Sequence, residues 1–126
     1  MSEVKFYRCN HCGNILAVVA DAGVTPSCCG EPMELLAAGS TDAATEKHVP
    51  VVTREGSSLT AKVGEVAHPM LEEHYIQWIA VAAEDCVSIR HLKPGQAPEA
   101  TFAVAEGKPV TVYEYCNLHG LWKAEA

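Results

Sequence analysis

The sequence has no long apolar run and little positive charge. No segment approaches the roughly 18 uninterrupted apolar residues of a membrane-spanning helix, and the first 25 residues carry no cationic stretch leading into an apolar one. A membrane or secretory destination is disfavoured, and a soluble cytoplasmic protein is the expectation. Lys and Arg number 9 against 16 Asp and Glu, a formal net charge of -7 with a pI near 5.3. Nucleic acid and anionic membrane surfaces are therefore poor partners, because most of the surface would repel them. The sequence also lacks a sustained helical period, an internal repeat and a low-complexity tract, which speaks against helical bundles and repeat arrays.

What the chain does hold is ligand chemistry: six Cys and six His in 126 residues. In a reducing cytosol such thiols are more often metal ligands than disulfides. The length suits one domain of typical size, or a small module joined to a larger one.

Residues 1–37 hold four of the six Cys and few large apolar side chains, and Gly13, Gly23, Pro26, Gly30 and Pro32 break them into short pieces. Such a stretch is too small to fold by apolar burial alone, so a bound metal would have to contribute. "NILAVVA", Asn14 to Ala20, reads as a short strand, and "AAGSTDAA", Ala37 to Ala44, as a linker. From about His48 onward the chain becomes a series of short runs rich in β-branched and aromatic residues, among them "VPVVT", "SLTAKVGEV", "HYIQWIAVA", "CVSIRHL", "ATFAVA" and "PVTVYEY". Turn signals such as "EGSS", "KPGQAPE" and "EGK" separate them. Strands at roughly 8 to 12 residue spacing predict an all-β sandwich or barrel. "MLEEHYIQWIAVA" has some helical spacing, but Pro69 before it and the Ile76, Trp78, Ala80 alternation favour a turn leading into a strand.

"YRCNHCGN" supplies Cys9 and Cys12, and "PSCCGEPM" supplies Cys28 and Cys29, with fifteen residues between the pairs. A C-x2-C hairpin can aim two thiolates at one ion, and a second pair at this distance can close a four-sulfur tetrahedron. A structural zinc ribbon is one reading. Against it, Cys28 and Cys29 are adjacent, which predicts a wider S-metal-S angle and a distorted tetrahedron. Zinc would tolerate this, whereas for iron the shifted ligand field tunes redox behaviour. His11, inside the first hairpin, reads as a solvent-facing turn residue, because four sulfurs complete the shell.

A second group is anchored by Cys116 and His119 in "EYCNLHGLWK". His48, His68, His74 and His91 also fall in the β region, mostly at apparent strand ends or turns, where loops can converge from one end of a sandwich. Structural zinc stops at four ligands. Four imidazoles plus one thiolate therefore call for a metal that accepts five or six, with one position vacant.

The stretches "CNHCGNI", "CCGEPM", "EKHVPV", "HPM", "HYIQWI", "LKPG", "PEATF" and "EYCNLHGLWKAE", in this order along nearly the whole chain, resemble desulfoferrodoxin, the two-iron form of superoxide reductase. The resemblance implies an all-β chain: a small desulforedoxin-like metal-bound module over residues 1–37, then an immunoglobulin-like β-sandwich over residues 38–126. It implies two iron ions, one held by Cys9, Cys12, Cys28 and Cys29. The other would be bound in a plane by His48, His68, His74 and His119 and axially by Cys116. Lys47 takes the role of attracting superoxide and positioning a proton-donating water, and Glu46 that of occupying the sixth position on ferric iron after product leaves. A homodimer and an external donor such as rubredoxin are implied too.

Two positions depart from the pattern: Tyr75 stands where the family commonly has Trp, and Gln77 where an acidic residue is common. Neither removes a ligand. Cys86 and His91 match no ligand position and read as structural, Cys86 as a small buried group.

The ligand types suit the reaction. Reducing superoxide takes one electron, two protons and a metal with a free position; neutral imidazoles leave its charge uncompensated, and a thiolate opposite the vacancy pushes density outward. The amides of Leu118 and His119 are expected to donate to the Cys116 sulfur. Two rival readings remain: a zinc-stabilised structural or metal-sensing module, and a pure electron-transfer protein with a closed six-ligand second site.

Overall fold

The computed structural model describes residues 3–41 and 43–126, in two compact units. Asp42, in the expected linker, lies outside the described residues.

Val4–Ala37 forms the smaller unit. Its strands are β1 (Phe6–Arg8), β2 (Ile15–Ala17), β3 (Ser27–Cys28), β4 (Glu31–Pro32) and β5 (Glu34–Leu35). β1 lies between β2 and β5, antiparallel to both, and β3 pairs with β4 in a separate hairpin. Its apolar cluster is small: Tyr7, Cys9 and Met33, with the partly buried Val18 and Cys28 against them. The strand expected over 14–20 is realised only at Ile15–Ala17. β1 is three residues long and offers no further backbone to pair with, and Val19 is fully exposed.

Ala38–Ala126, with Glu3, forms the larger unit. One helical turn, α1 (Thr45–His48), precedes β6 (Pro50–Glu55), β7 (Ser58–Val63), β8 (Ile76–Ala82), β9 (Val87–His91), β10 (Glu99–Ala103), β11 (Thr111–Cys116) and β12 (Gly120–Glu125). One sheet runs β10-β7-β6 and the other β12-β11-β8-β9, all antiparallel. The first, second and fifth strands of the unit thus face the third, fourth, sixth and seventh, an immunoglobulin-like sandwich. Period-2 alternation explains the layering: Leu59, Ala61 and Val63 of β7 and Ala100 and Phe102 of β10 point inward. They meet Ile79 and Val81 of β8 and Val112 of β11 in one core. No helix among the described residues is long and apolar enough to cross a membrane.

In the smaller unit β1, β3, β4 and β5 go beyond the one strand expected there, and in the larger unit two elements were not foreseen. α1 is a single turn, too short to show a period. β12 lies in "GLWKAE", where consecutive Leu121 and Trp122 are both buried and no period-2 alternation marks a strand; it hairpins onto β11 through Gly120, whose φ of +77° permits the tight return.

Cys86 corrects the sequence reading. It is exposed, not buried. It closes the β8–β9 turn, where the Ala83 amide donates to its carbonyl at 2.8 Å, and a hairpin tip beside Glu84 and Asp85 offers no apolar surroundings. His91 is also exposed, on β9 opposite Trp78.

Glu114 of β11 is fully buried, and neither carboxylate oxygen has a hydrogen-bond partner among the described residues. Burial pushes its carboxyl well above the usual range. The sign follows from linkage. Below the unfolded value both states are protonated; as pH rises past about 4.5 the unfolded chain ionises first, and stability falls at up to about 1.4 kcal/mol per pH unit until the folded carboxyl titrates. Glu114→Gln removes that slope. In thermal unfolding at matched metal content, the variant should gain on the parent at pH 8 relative to pH 5.5.

Candidate metal centres

Strand register gathers the second ligand group. Pro50, opening β6, pairs with Val63, closing β7, while Cys116, closing β11, pairs with both Ile76, opening β8, and Gly120, opening β12. His48 ends α1 just before β6, His68 and His74 sit in the β7–β8 loop, and His119 lies in the β11–β12 turn. The ligand atoms of His48, His68, His74, Cys116 and His119 all lie within 4.8 Å of one another.

The four imidazoles form a closed square. Ring centroids are 4.8 Å apart for His48–His68, 4.7 Å for His68–His74, 5.1 Å for His74–His119 and 4.9 Å for His119–His48, and every neighbouring pair is near perpendicular, at 75° to 88°. Cys116, wholly buried, approaches from the protein side, its sulfur 3.9 Å from His119 Nδ1. His48 and His68 are buried, while His74 and His119 are half-buried.

The donor set fits a cation. His48 Nδ1 bonds the Ala44 carbonyl at 2.8 Å and His68 Nδ1 the Pro69 carbonyl at 2.7 Å. A carbonyl only accepts, so both Nδ1 atoms carry the proton and both Nε2 atoms present bare lone pairs. Those two Nε2 atoms face each other at 3.2 Å, and His119 Nδ1 stands 3.1 Å from His48 Nε2. Lone pairs so close repel unless something positive lies between them. Nitrogens about 2.1 Å from a common ion at right angles would be about 3 Å apart. His74 Nε2 completes the square as a buried nitrogen with no hydrogen-bond partner among the described residues.

Electrostatics agree. Desolvation lowers His48, His68 (to about 4) and His74 below the usual imidazole range, so these rings stay neutral. Burial pushes the Cys116 thiol up, while hydrogen bonds from the Leu118 and His119 amides pull it down. Those two amides are the expected donors to the sulfur. An ion beside the sulfur would complete the shift to thiolate.

Glu46 and Lys47 sit exposed on α1, and neither is held in an ion pair among the described residues. The Lys47 charge nonetheless acts on both His48 and His74 in the lowering direction.

Motif matching passes over the supports, because none offers a ligand atom. The Trp122 indole stacks on His48, centroids 5.0 Å apart at 23°, and its N–H donates to the His119 carbonyl at 2.9 Å. Gly64 seats α1: at φ +84°, a Cβ there would meet the Val66 carbonyl oxygen at 2.6 Å and, at 2.7 Å, both the Glu46 carbonyl oxygen and the Lys47 carbonyl carbon. Only a missing side chain lets the β7–β8 loop run so close, with the Val66 amide donating to the Glu46 carbonyl at 3.1 Å. Gly64→Ala is expected to cost about 2–4 kcal/mol, lowering the thermal midpoint by roughly 10–20 °C in a scanning measurement.

The four cysteines of the smaller unit also converge, with all sulfurs within 4.8 Å of one another. Cys12 and Cys28 sulfurs are 3.7 Å apart and those of Cys28 and Cys29 3.9 Å, against about 3.8 Å for the edge of a tetrahedron with 2.3 Å metal–sulfur bonds. Cys29 takes φ +54°, the sole non-glycine residue with positive φ among those described. That left-handed turn lets adjacent cysteines aim at one point, so the widening expected for an adjacent pair is slight. Amide hydrogen bonds from Cys12 and His11 lower Cys9 to about 6, whereas contact with the Cys12 and Cys9 sulfurs raises Cys28 to about 12. Crowded sulfurs cannot all ionise without a cation among them. His11 is exposed on the hairpin.

Comparison with known proteins follows the same division. The desulfoferrodoxin family model matches residues 40–125, and that of the desulfoferrodoxin N-terminal domain matches residues 2–36. The chain is 49% identical to a desulfoferrodoxin of Nitratidesulfovibrio vulgaris, covering 99% of this chain and 98% of that one. A superoxide reductase of Pyrococcus horikoshii is 34% identical, over 64% of this chain and 85% of its own. Among solved structures, the superoxide reductase from Treponema pallidum superposes with a TM-score of 0.79 at 38% identity, covering 97% of this chain and 98% of that one.

Proposed function

The chain belongs to the desulfoferrodoxin family, and from that membership and the five-donor centre we propose that it is a superoxide reductase, joining one electron and two protons to superoxide and releasing hydrogen peroxide. Iron held by the two donor sets would supply that electron, from the ferrous state at the five-donor centre. The observation that carries the reading is the donor geometry: a square of four imidazoles beside one wholly buried cysteine sulfur would hold an ion with room for a small anion.

The chain's own residues divide the work. His48, His68, His74 and His119 hold the plane and add no negative charge, so the centre stays attractive to an anion. Cys116, wholly buried, would give the ion its one anionic donor. Lys47 attracts superoxide against the overall charge of -7, which screening over about 8 Å confines to a weak background; its influence on His48 and His74 supports this role. Lys47 also orders a water as proton donor, and Glu46 closes the vacant direction after product leaves. Cys9, Cys12, Cys28 and Cys29 hold the second iron in a module of residues 1–37, ahead of the catalytic sandwich of residues 38–126. A rubredoxin-like protein returns the electron, and the chain acts as a homodimer in the cytoplasm, where six free thiols are at home.

Reduced protein mixed with superoxide should consume it stoichiometrically, yield hydrogen peroxide and release no oxygen. Oxygen evolution would mark a dismutase and overturn the reading. Lys47→Ala should slow the second-order step about tenfold at low salt, the gap closing as ionic strength rises.

A further inference from the structure

We propose that Asn117 is a positioning residue that sets the direction of the His74 imidazole, through a clamp between two ligand-bearing loops. The proposal rests on the reading of His74 as a metal ligand.

His74 differs from His48 and His68 in how it is held. His48 and His68 are each oriented by a ring hydrogen bond to a carbonyl. The His74 Nε2 is buried with no hydrogen-bond partner among the described residues, and the His68 and His119 rings stand near-perpendicular beside it. Those rings limit its swivel, while its backbone sets where the ring stands and along which line it is aimed. That backbone is doubly fixed. Within its own loop, the Leu71 amide donates to the His74 carbonyl at 2.9 Å and the His74 amide to the Leu71 carbonyl at 3.1 Å, closing a tight bridge.

Across to the other loop, Asn117 brackets His74 on both sides. Its Oδ1 accepts the Tyr75 amide at 2.9 Å, its Nδ2 donates to the Glu73 carbonyl at 3.0 Å, and its own amide donates to the Tyr75 carbonyl at 3.2 Å. Three hydrogen bonds thus reach the two residues that flank the ligand. A primary amide is the short side chain that carries donor and acceptor on one plane; Asp lacks the donor, Ser lacks the reach, and Gln adds a rotatable bond. Asn117 also sits between Cys116 and His119. The clamp therefore ties His74 to the segment that delivers two other ligands, so that three of five donor atoms share one frame.

The test is a double-variant cycle on full-length, iron-loaded protein. Iron retention at the sandwich centre against a competing chelator is measured for the parent, His74→Ala, Asn117→Ala and the double variant, following the centre by its ferric electron paramagnetic resonance signal. Asn117→Ala should weaken retention about tenfold or more. It should also shift the resonance toward that of His74→Ala, and add less than about twofold when His74 is already absent. Independent losses that multiply in the double variant, or a parental signal in Asn117→Ala, would overturn the proposal. Undiminished retention in His74→Ala would instead overturn the ligand reading beneath it. Should Asn117→Ala not fold, Asn117→Asp, which keeps the acceptor and loses the donor, serves in the same cycle with the same criteria.

Discussion

Cys116→Ser should lower the rate of superoxide consumption by at least about 100-fold while iron stays bound. Loss of a residue that merely orients a metal ligand typically costs about 10- to 100-fold, and Cys116 is proposed to be a ligand itself. A serine hydroxyl of nearly the same size fits the wholly buried site but stays protonated at neutral pH, so the one anionic donor of the five is lost. The amides of Leu118 and His119, which hydrogen-bond the sulfur, would then solvate a neutral oxygen. Four imidazoles still hold the ion, so metal analysis should return near-parental iron. Stopped-flow kinetics and the visible thiolate-to-iron band report together; persistence of both would remove Cys116 from the coordination shell.

The second large effect is structural. Cys9→Ala should unfold residues 4–37 while the sandwich strands keep their hydrogen-exchange protection. Around the cysteines of this unit the apolar cluster is three buried residues and two partly buried neighbours, two of those five themselves proposed ligands, and Phe6 adds one further buried side chain to the unit. In so small a unit the metal supplies the folding energy, on the order of 10 kcal/mol for a tetrahedral thiolate site. Cys9 is the most buried of the four cysteines, and its sulfur accepts the Cys12 amide that shapes the hairpin. Its removal takes away a ligand and a turn at once. Amide exchange resolved by residue distinguishes this outcome from local fraying around one missing ligand.

The contrast between these units explains what the sequence made legible. Candidate ligands announce themselves by residue type, so both clusters could be read as groups, but the choice of His48, His68, His74 and His119 over His91 came only with the family resemblance. The sandwich was legible because β7 and β10 alternate cleanly. β12 was not separated from the metal motif, since it overlaps that motif and buries two consecutive residues rather than alternating, and α1 is one turn long. Cys86 was misread because a thiol's burial depends on whether a hairpin tip meets the core, which composition does not encode. Gly64, Trp122 and Asn117 act through close approach, stacking and backbone hydrogen bonds between segments distant in the chain. Such roles exist only once register has brought the segments together. Glu114 was passed over for a related reason: nothing local marks a strand glutamate as facing inward with no partner.

The square of mutually perpendicular imidazoles constrains motion as well as charge. Each ring presents its edge to the flat of the next, so no one of them can swivel far without its two neighbours giving way, as meshed gears would. Reorientation is then a concerted event for the quartet. An arriving ion relieves the repulsion among the converging lone pairs of the whole quartet at once, and a departing one returns it to all four rings together.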